Sequence, residues 1–128
     1  MGISSDLQRL IVARLKAAVP SVAGRVYDNP AETATMPYIS IGASQIVANS
    51  ADCIRGRDEF LQVDVWTSSR PNKSLCKDIT EAVADALEEW APHDIAAQPI
   101  DVLTWNVQDD PLPGIVHGWV QIQAFIEA

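Results

Sequence analysis

Two stretches decide the fold: Phe60-Leu61-Gln62-Val63-Asp64-Val65-Trp66 and Trp119-Val120-Gln121-Ile122-Gln123-Ala124-Phe125-Ile126. Each alternates with a period of two, which predicts a β-strand with two distinct faces. Leu61, Val63 and Val65 share one face of the first strand, and Val120, Ile122, Ala124 and Ile126 share one face of the second. Those faces are plain core. The opposite faces carry Phe60, Gln62, Asp64 and Trp66, then Trp119, Gln121, Gln123 and Phe125. A face that meets only water normally carries Lys, Glu or Thr. A face of aromatics and amides with little charge suits contact with another protein.

Working outward, residues 5–18 predict an amphipathic helix with Leu7, Leu10, Ile11, Leu15 and Ala18 on its stripe. Ser5 and Gln8 have capping-box spacing, Ile3 is placed to staple the start, and Pro20 stops the helix. Val26-Tyr27-Asp28 reads as loop, with a turn at Asn29-Pro30. A strand opens at Pro37-Tyr38, with Ile39, Ile41 and Ala43 alternating with Tyr38, Ser40, Gly42 and Ser44. Residues 47–56 have no clean period and are expected to form an extended, mobile loop before a strand over roughly 58–67. Ser68-Ser69-Arg70-Pro71 predicts entry to a second helix running to about Trp90, with a stripe of Leu75, Ile79, Val83, Ala86, Leu87 and Trp90. A linker over 91–99 leads to a strand at 100–107, where Trp105 shares a face with Leu103 and Val107 and is expected in the core. The turn-dense Asp109-to-Gly114 segment joins it to the last strand as a hairpin.

The expected fold is one α+β domain over residues 1–128. It has a four-stranded, mainly antiparallel sheet with two helices packed on one face, in the order α-β-β-α-β-β. The aromatic and glutamine rows then fall on the uncovered face.

Composition narrows the function. The chain has 128 residues, enough for a real core, with 48% apolar and 20% charged residues. Its net charge is −8 and its pI about 4.5. Nine scattered Lys and Arg residues argue against gripping a phosphate backbone. An acidic surface suits a wall that DNA slides past. Residues 1–6 lack the basic start and apolar stretch of a secretory leader, and no apolar run approaches a membrane span, so a cytoplasmic protein without membrane contact is expected. Cys53 and Cys76 match no disulfide framework or metal spacing, and Cys76 fits the apolar side of the second helix.

Catalysis needs convergent reactive groups, and the sequence supplies none in a recognisable spacing. His93 and His117 have no local partner and read as ordinary polar residues. No glycine-rich phosphate loop or Gly-x-Ser-x-Gly elbow occurs. Asp109 and Asp110 form the best carboxylate pair, but a hard cation needs more oxygens, and a solvated turn is the favoured reading. Arg55, Arg57 and Arg70 suggest at most a small basic patch at a sheet edge. No catalytic residue, cofactor or metal is expected, and the chain is not expected to be an enzyme.

Four stretches in this order resemble one family. They are Val26-Tyr27-Asp28, Pro37-Tyr38-Ile39-Ser40-Ile41-Gly42, Val63-Asp64-Val65-Trp66-Thr67 with the helix to Ala86-Leu87, and Asp109 to Gly114 followed by His117-Gly118-Trp119-Val120-Gln121. Together they resemble the tail-completion, or tail terminator, proteins of long-tailed phages, prophages and gene transfer agents. The likeness spans nearly the whole chain. The Pro111-Leu112-Pro113 loop departs from the pattern, and residues 67–72 are less basic than expected.

The resemblance implies a structural virion protein that assembles as a hexameric ring on the tail tube. The ring stops tube polymerisation and presents a surface to the head-side connector or stopper, and DNA passes through only as cargo. The implied partners are further copies of the chain, the tail tube protein and the head-side protein. The implied location is the host cytoplasm and then the particle's tail or neck. On this reading Phe60, Gln62, Trp66, Trp119, Gln121, Gln123 and Phe125 are the candidate subunit interface. Asp52, Arg55, Arg57, Asp109, Asp110 and Leu112 are the candidate partner-contact loop residues. The competing readings are a head-completion or stopper neck protein and a small acidic dimeric binding module.

Overall fold

The alternation at residues 60–66 and 119–126 lies at the heart of a five-stranded sheet in the computed structural model, which describes residues 2–30, 33–49 and 55–127. The elements are α1 (Ile3–Ala18), a 3₁₀ turn (Pro20–Val22), β1 (Val26–Tyr27), β2 (Tyr38–Ala48), β3 (Gly56–Ser68), α2 (Ser74–Leu87), β4 (Asp101–Asp109) and β5 (Ile115–Glu127). The sheet order is β1-β2-β3-β5-β4. β3 and β5 pair without a break from Gly56 opposite Glu127 to Ser68 opposite Ile115. This 13-residue ladder is the spine of the fold, and both halves of it alternate cleanly.

The α+β class and the one-sided helical cover hold, and the strand count is corrected. Val26 and Tyr27, expected in a loop, pair parallel with Ile39 and Ser40 of β2. The sheet is therefore mixed and five-stranded. Two residues are too few to show a period, so this strand left no signal.

Leu7, Ile11 and Leu15 of α1 and Ile79, Val83 and Leu87 of α2 are fully buried against Val63, Val65, Val120 and Ile122. Burial of each such side chain stabilises by about 1.5–3 kcal/mol before entropy is counted. Cys76 is buried in the same layer. Gly118 is what lets α2 sit down on β5: a Cβ there would overlap Thr80 Oγ1 and lie 3.1 Å from Cys76 Sγ. The Arg14 guanidinium ties the two helices together. Its Nε donates to the carbonyl of Ala86 at 3.0 Å, and its carbon lies 5.6 Å from the Trp90 ring centre.

The helix ends differ from the sequence pattern. α1 starts at Ile3, and its N-cap is Gly2 with no side-chain cap. Ser5 is already inside the first turn, so the Ser5–Gln8 box is not the cap. α2 starts at Ser74 rather than near Ser68; Asn72 Oδ1 accepts from the Ser74 amide at 2.9 Å. It ends at Leu87 because Glu89 adopts a left-handed backbone, and residues 89–90 pair with Ile100 instead. Leu75 is consequently exposed, and Trp90 lies beyond the helix.

Two bulges re-aim side chains. β2 carries one extra residue between Ile41 and Ser44, so Ser44, not Ala43, comes opposite Leu61. β2 also runs on to Ala48, and the expected loop over 47–56 is shorter at both ends. β4 carries an extra residue between Val102 and Thr104. That bulge splits the expected Leu103, Trp105 and Val107 face. Trp105 stays opposite Val120 on the helix side, on an edge strand, where it lines a shallow cleft with Lys77 and Glu81 of α2. It is 51% exposed rather than core. Leu103 turns to the open face.

Glu59 is the one carboxylate deep in the helix-side layer, 2% exposed. Burial pushes its carboxyl above the ordinary value, against the pull of hydrogen bonds from Ser4, at 3.0 Å, and Ser44, and of the Arg57 charge.

Candidate assembly interface

The face away from the helices gathers all seven candidate interface residues. The register sets Phe60 opposite Gln123, Gln62 opposite Gln121, Asp64 opposite Trp119 and Trp66 opposite His117. Phe125 comes opposite Asp58. Its ring fills the space where Gly56 has no side chain. Gln121 is exposed and the other six are half-buried.

Across this face runs an aromatic row that spans four strands. Ring centres follow from Tyr27 to Tyr38 at 5.9 Å, to Trp66 at 6.4 Å, to His117 at 4.0 Å and to Trp119 at 5.2 Å. The Trp66 and His117 rings are parallel within 2°. Such pairs add about 0.5–1.5 kcal/mol each beyond buried area. Several polar atoms along the row are partnered. Trp66 Nε1 donates to Ser40 Oγ at 2.9 Å. Asp64 Oδ1 accepts from Gln62 Nε2 and lies 2.7 Å from His117 Nε2. Gln121 Nε2 donates to Gln62 Oε1 at 3.4 Å. Gly42 makes room for the carboxylate, since a Cβ there would lie 2.6 Å from Asp64 Oδ2.

His117 therefore has a partner, though not a local one. The contact crosses 53 residues of chain. Tyr27, Tyr38 and His117 were absent from the candidate set. His117 shares the parity of Trp119 and is visible once the last strand is started at Ile115. A shallow groove of about 340 Å³ lies on the same face, lined by Gln45, Phe60, Gln62, Leu103 and Gln121 among others.

The candidate loops sit at opposite ends of the sheet. The Asp109-to-Gly114 turn adjoins the Ser68 end of β3, where the Ser69 amide donates to the Gly114 carbonyl at 3.0 Å. Asp109 pairs with Lys73 at 3.1 Å, and Leu112 is 60% exposed. Arg55 and Arg57 lie at the other end, where β3 begins; Asp52 falls outside the described residues. The rise of a strand separates Arg57 from Arg70 by roughly 40 Å, so the suggested arginine patch does not form. His93 Nδ1 lies 3.1 Å from Oδ2 of its neighbour Asp94, and both side chains are exposed. Among the described residues no three His, Cys, Asp or Glu side chains converge on a metal-sized site, and no helix is long and apolar enough to cross a membrane.

The family model described as "Tail completion protein gp17" matches residues 9–127. The chain belongs to this family. The match covers all four stretches on which the sequence resemblance rested and makes the chain a tail-completion protein. Two solved structures share the fold. A chain in the virion of a native gene transfer agent particle is 20% identical, with 95% of each chain covered and a TM-score of 0.81. The gp17 protein of bacteriophage SPP1 is 19% identical, covering 96% of this chain and 90% of that one, with a TM-score of 0.60. No curated protein sequence matches the chain.

Proposed function

We propose that this tail-completion protein is the tail terminator of a phage-like or gene-transfer-agent particle. It caps the tail tube as a ring of six copies, stops tube polymerisation and joins the tail to the head-side connector. DNA passes through the ring, and the chain performs no catalysis. The observation that carries this reading is the open sheet face, with its aromatic row half-buried in a single copy and glutamines beside it. A ring needs heterologous contacts, one patch meeting a different patch on the neighbour. The two ends of the sheet offer separate surfaces, one for the tube and another for the head side. The net charge of −8 suits a passage that must not hold DNA.

Deleting the gene tests the proposal. Electron microscopy of the lysate should then show filled heads apart from tails of abnormal length. Joined particles with tails of normal length would sink the reading. Heads unable to join tails of normal, uniform length would point instead to a stopper on the head side.

A further inference from the structure

The Pro111-Leu112-Pro113 tip stands out on the structure as it does in the sequence. Leu112 is the most exposed of the large apolar side chains among the described residues, yet its backbone is held. Asp110 Oδ2 accepts from the Leu112 amide at 2.9 Å, and the Asp110 amide donates to the Ile115 carbonyl at 2.9 Å. Two prolines stiffen the flanks. A rigid loop that offers a leucine to solvent forfeits little entropy on docking.

The tip has an unusual polar character. Pro111 and Pro113 have no amide hydrogen, and that of Leu112 is already used. Residues 111–113 therefore present carbonyl acceptors without a free donor. The groove on the open face has the opposite character. Leu103 and Phe60 give it an apolar floor, and Gln45, Gln62 and Gln121 rim it. Gln62 and Gln121 each use one amide hydrogen within the face and keep the second. Among the described residues no Asp, Glu, Lys or Arg lines the groove, so the acidic flank of the tip, Asp109 and Asp110, meets no like charge in that lining.

We infer that the Pro111-Leu112-Pro113 tip of one copy seats in the groove on the open face of a second copy of this chain. Leu112 packs on Leu103 and Phe60, and the glutamine amides donate to the tip carbonyls. The tip cannot reach its own groove, because six residues of β5, roughly 20 Å, separate Ile115 from Gln121. Knob and groove are different patches, so the contact is heterologous and propagates around a ring. The inference deepens the ring reading by naming the contact.

The test uses particle-producing cells that lack the gene and receive the full chain on a plasmid. Leu112→Glu should fold as the wild type but give a roughly tenfold or greater fall in joined particles, as expected for loss of an apolar anchor. Leu112→Met should restore them. In a Cys53→Ser background, Leu112→Cys with Leu103→Cys should give on oxidation a ladder of disulfide-linked multimers of this chain, and each single change should give at most a dimer. Wild-type yield from Leu112→Glu, a particle-borne double-cysteine chain with no ladder, or a disulfide to a different protein would each overturn the inference. The terminator reading fails separately, if tails have normal length without any copy of the gene.

Discussion

Replacing Trp119 by Glu puts the open face to the test. In the single copy Trp119 is half-buried, with its ring 5.2 Å from that of His117 and its backbone opposite Asp64. Losing the ring contact costs about 0.5–1.5 kcal/mol. A carboxylate directly opposite Asp64 adds about 0.2–1 kcal/mol. The monomer should therefore lose about 1–2.5 kcal/mol, a fall in melting temperature of roughly 3–12 °C for a chain of this size. An aromatic anchor at the centre of an interface is worth about 2 kcal/mol or more, roughly 30-fold in affinity at every contact of a ring. The two effects separate experimentally. Circular dichroism melts read the first, and counts of joined particles from cells lacking the wild-type gene read the second. Gln121→Glu is the cleaner companion: Gln121 is exposed, so its melt should move little while assembly falls. A variant that is unfolded at room temperature would mean the face is core. A folded Trp119→Glu chain that supports normal particles would refute the interface.

Three further outcomes follow from the geometry. Gly118→Ala should cost about 1–3 kcal/mol in urea unfolding, because its Cβ overlaps Thr80 Oγ1; adding Thr80→Ala should recover part of the loss. Asp64→Ala removes the acceptor shared by Gln62 and His117 and should cost roughly 2–4 kcal/mol, more than Gln121→Ala on the same face. Glu59 gives a pH dependence. Its folded pKa is raised, so its contribution to stability is fully present below the usual glutamate range near 4.5 and is lost as pH rises through the folded value. Glu59→Gln should therefore raise the melting temperature at neutral pH, and the gain should shrink toward about pH 4. A gain that grows with acid would show the sign to be wrong.

Strict alternation made β3 and β5 readable, since period two survives wherever a strand is straight and covered on one side. It failed where the backbone departs from that ideal. The extra residue in β4 sends Leu103 to the open face while Trp105 keeps its side, so counting parity through the bulge put both in the core. The same event in β2 exchanged the places of Ala43 and Ser44. The two-residue β1 is parallel and exists only through its pairing with β2. The open face was visible because the seven candidates on it lie on the two regular strands. The aromatic row that crosses it was only half visible, because Tyr27 and Tyr38 join it by tertiary register and His117 precedes the stretch whose alternation is obvious. Nothing local in the sequence connects His117 with Asp64; only the antiparallel pairing of β3 with β5 does.

The chemistry of the open face answers a demand that a stored ring component must meet. On the proposed ring reading, each copy has to stay free before the tube is finished while carrying the surface that would later join it to its neighbour. A bare aliphatic patch would associate too early. A charged patch would be costly to dry when the contact forms. Here the aromatic rings pack one against the next along one row, with Trp66 and His117 stacked flat, and all are half-buried already. Asp64 is tied by His117 and Gln62, and Gln121 donates to Gln62 within the face. Little new desolvation of charge is then left for assembly. The net charge of −8 keeps free copies apart until a specific geometry brings patch to patch. On this argument, a charge introduced on the open face should harm assembly far more than one introduced at an exposed position of α2 such as Lys77, where a change of sign alters only long-range repulsion. Equal losses from Gln121→Glu and Lys77→Glu would show that overall charge, rather than the face, governs assembly.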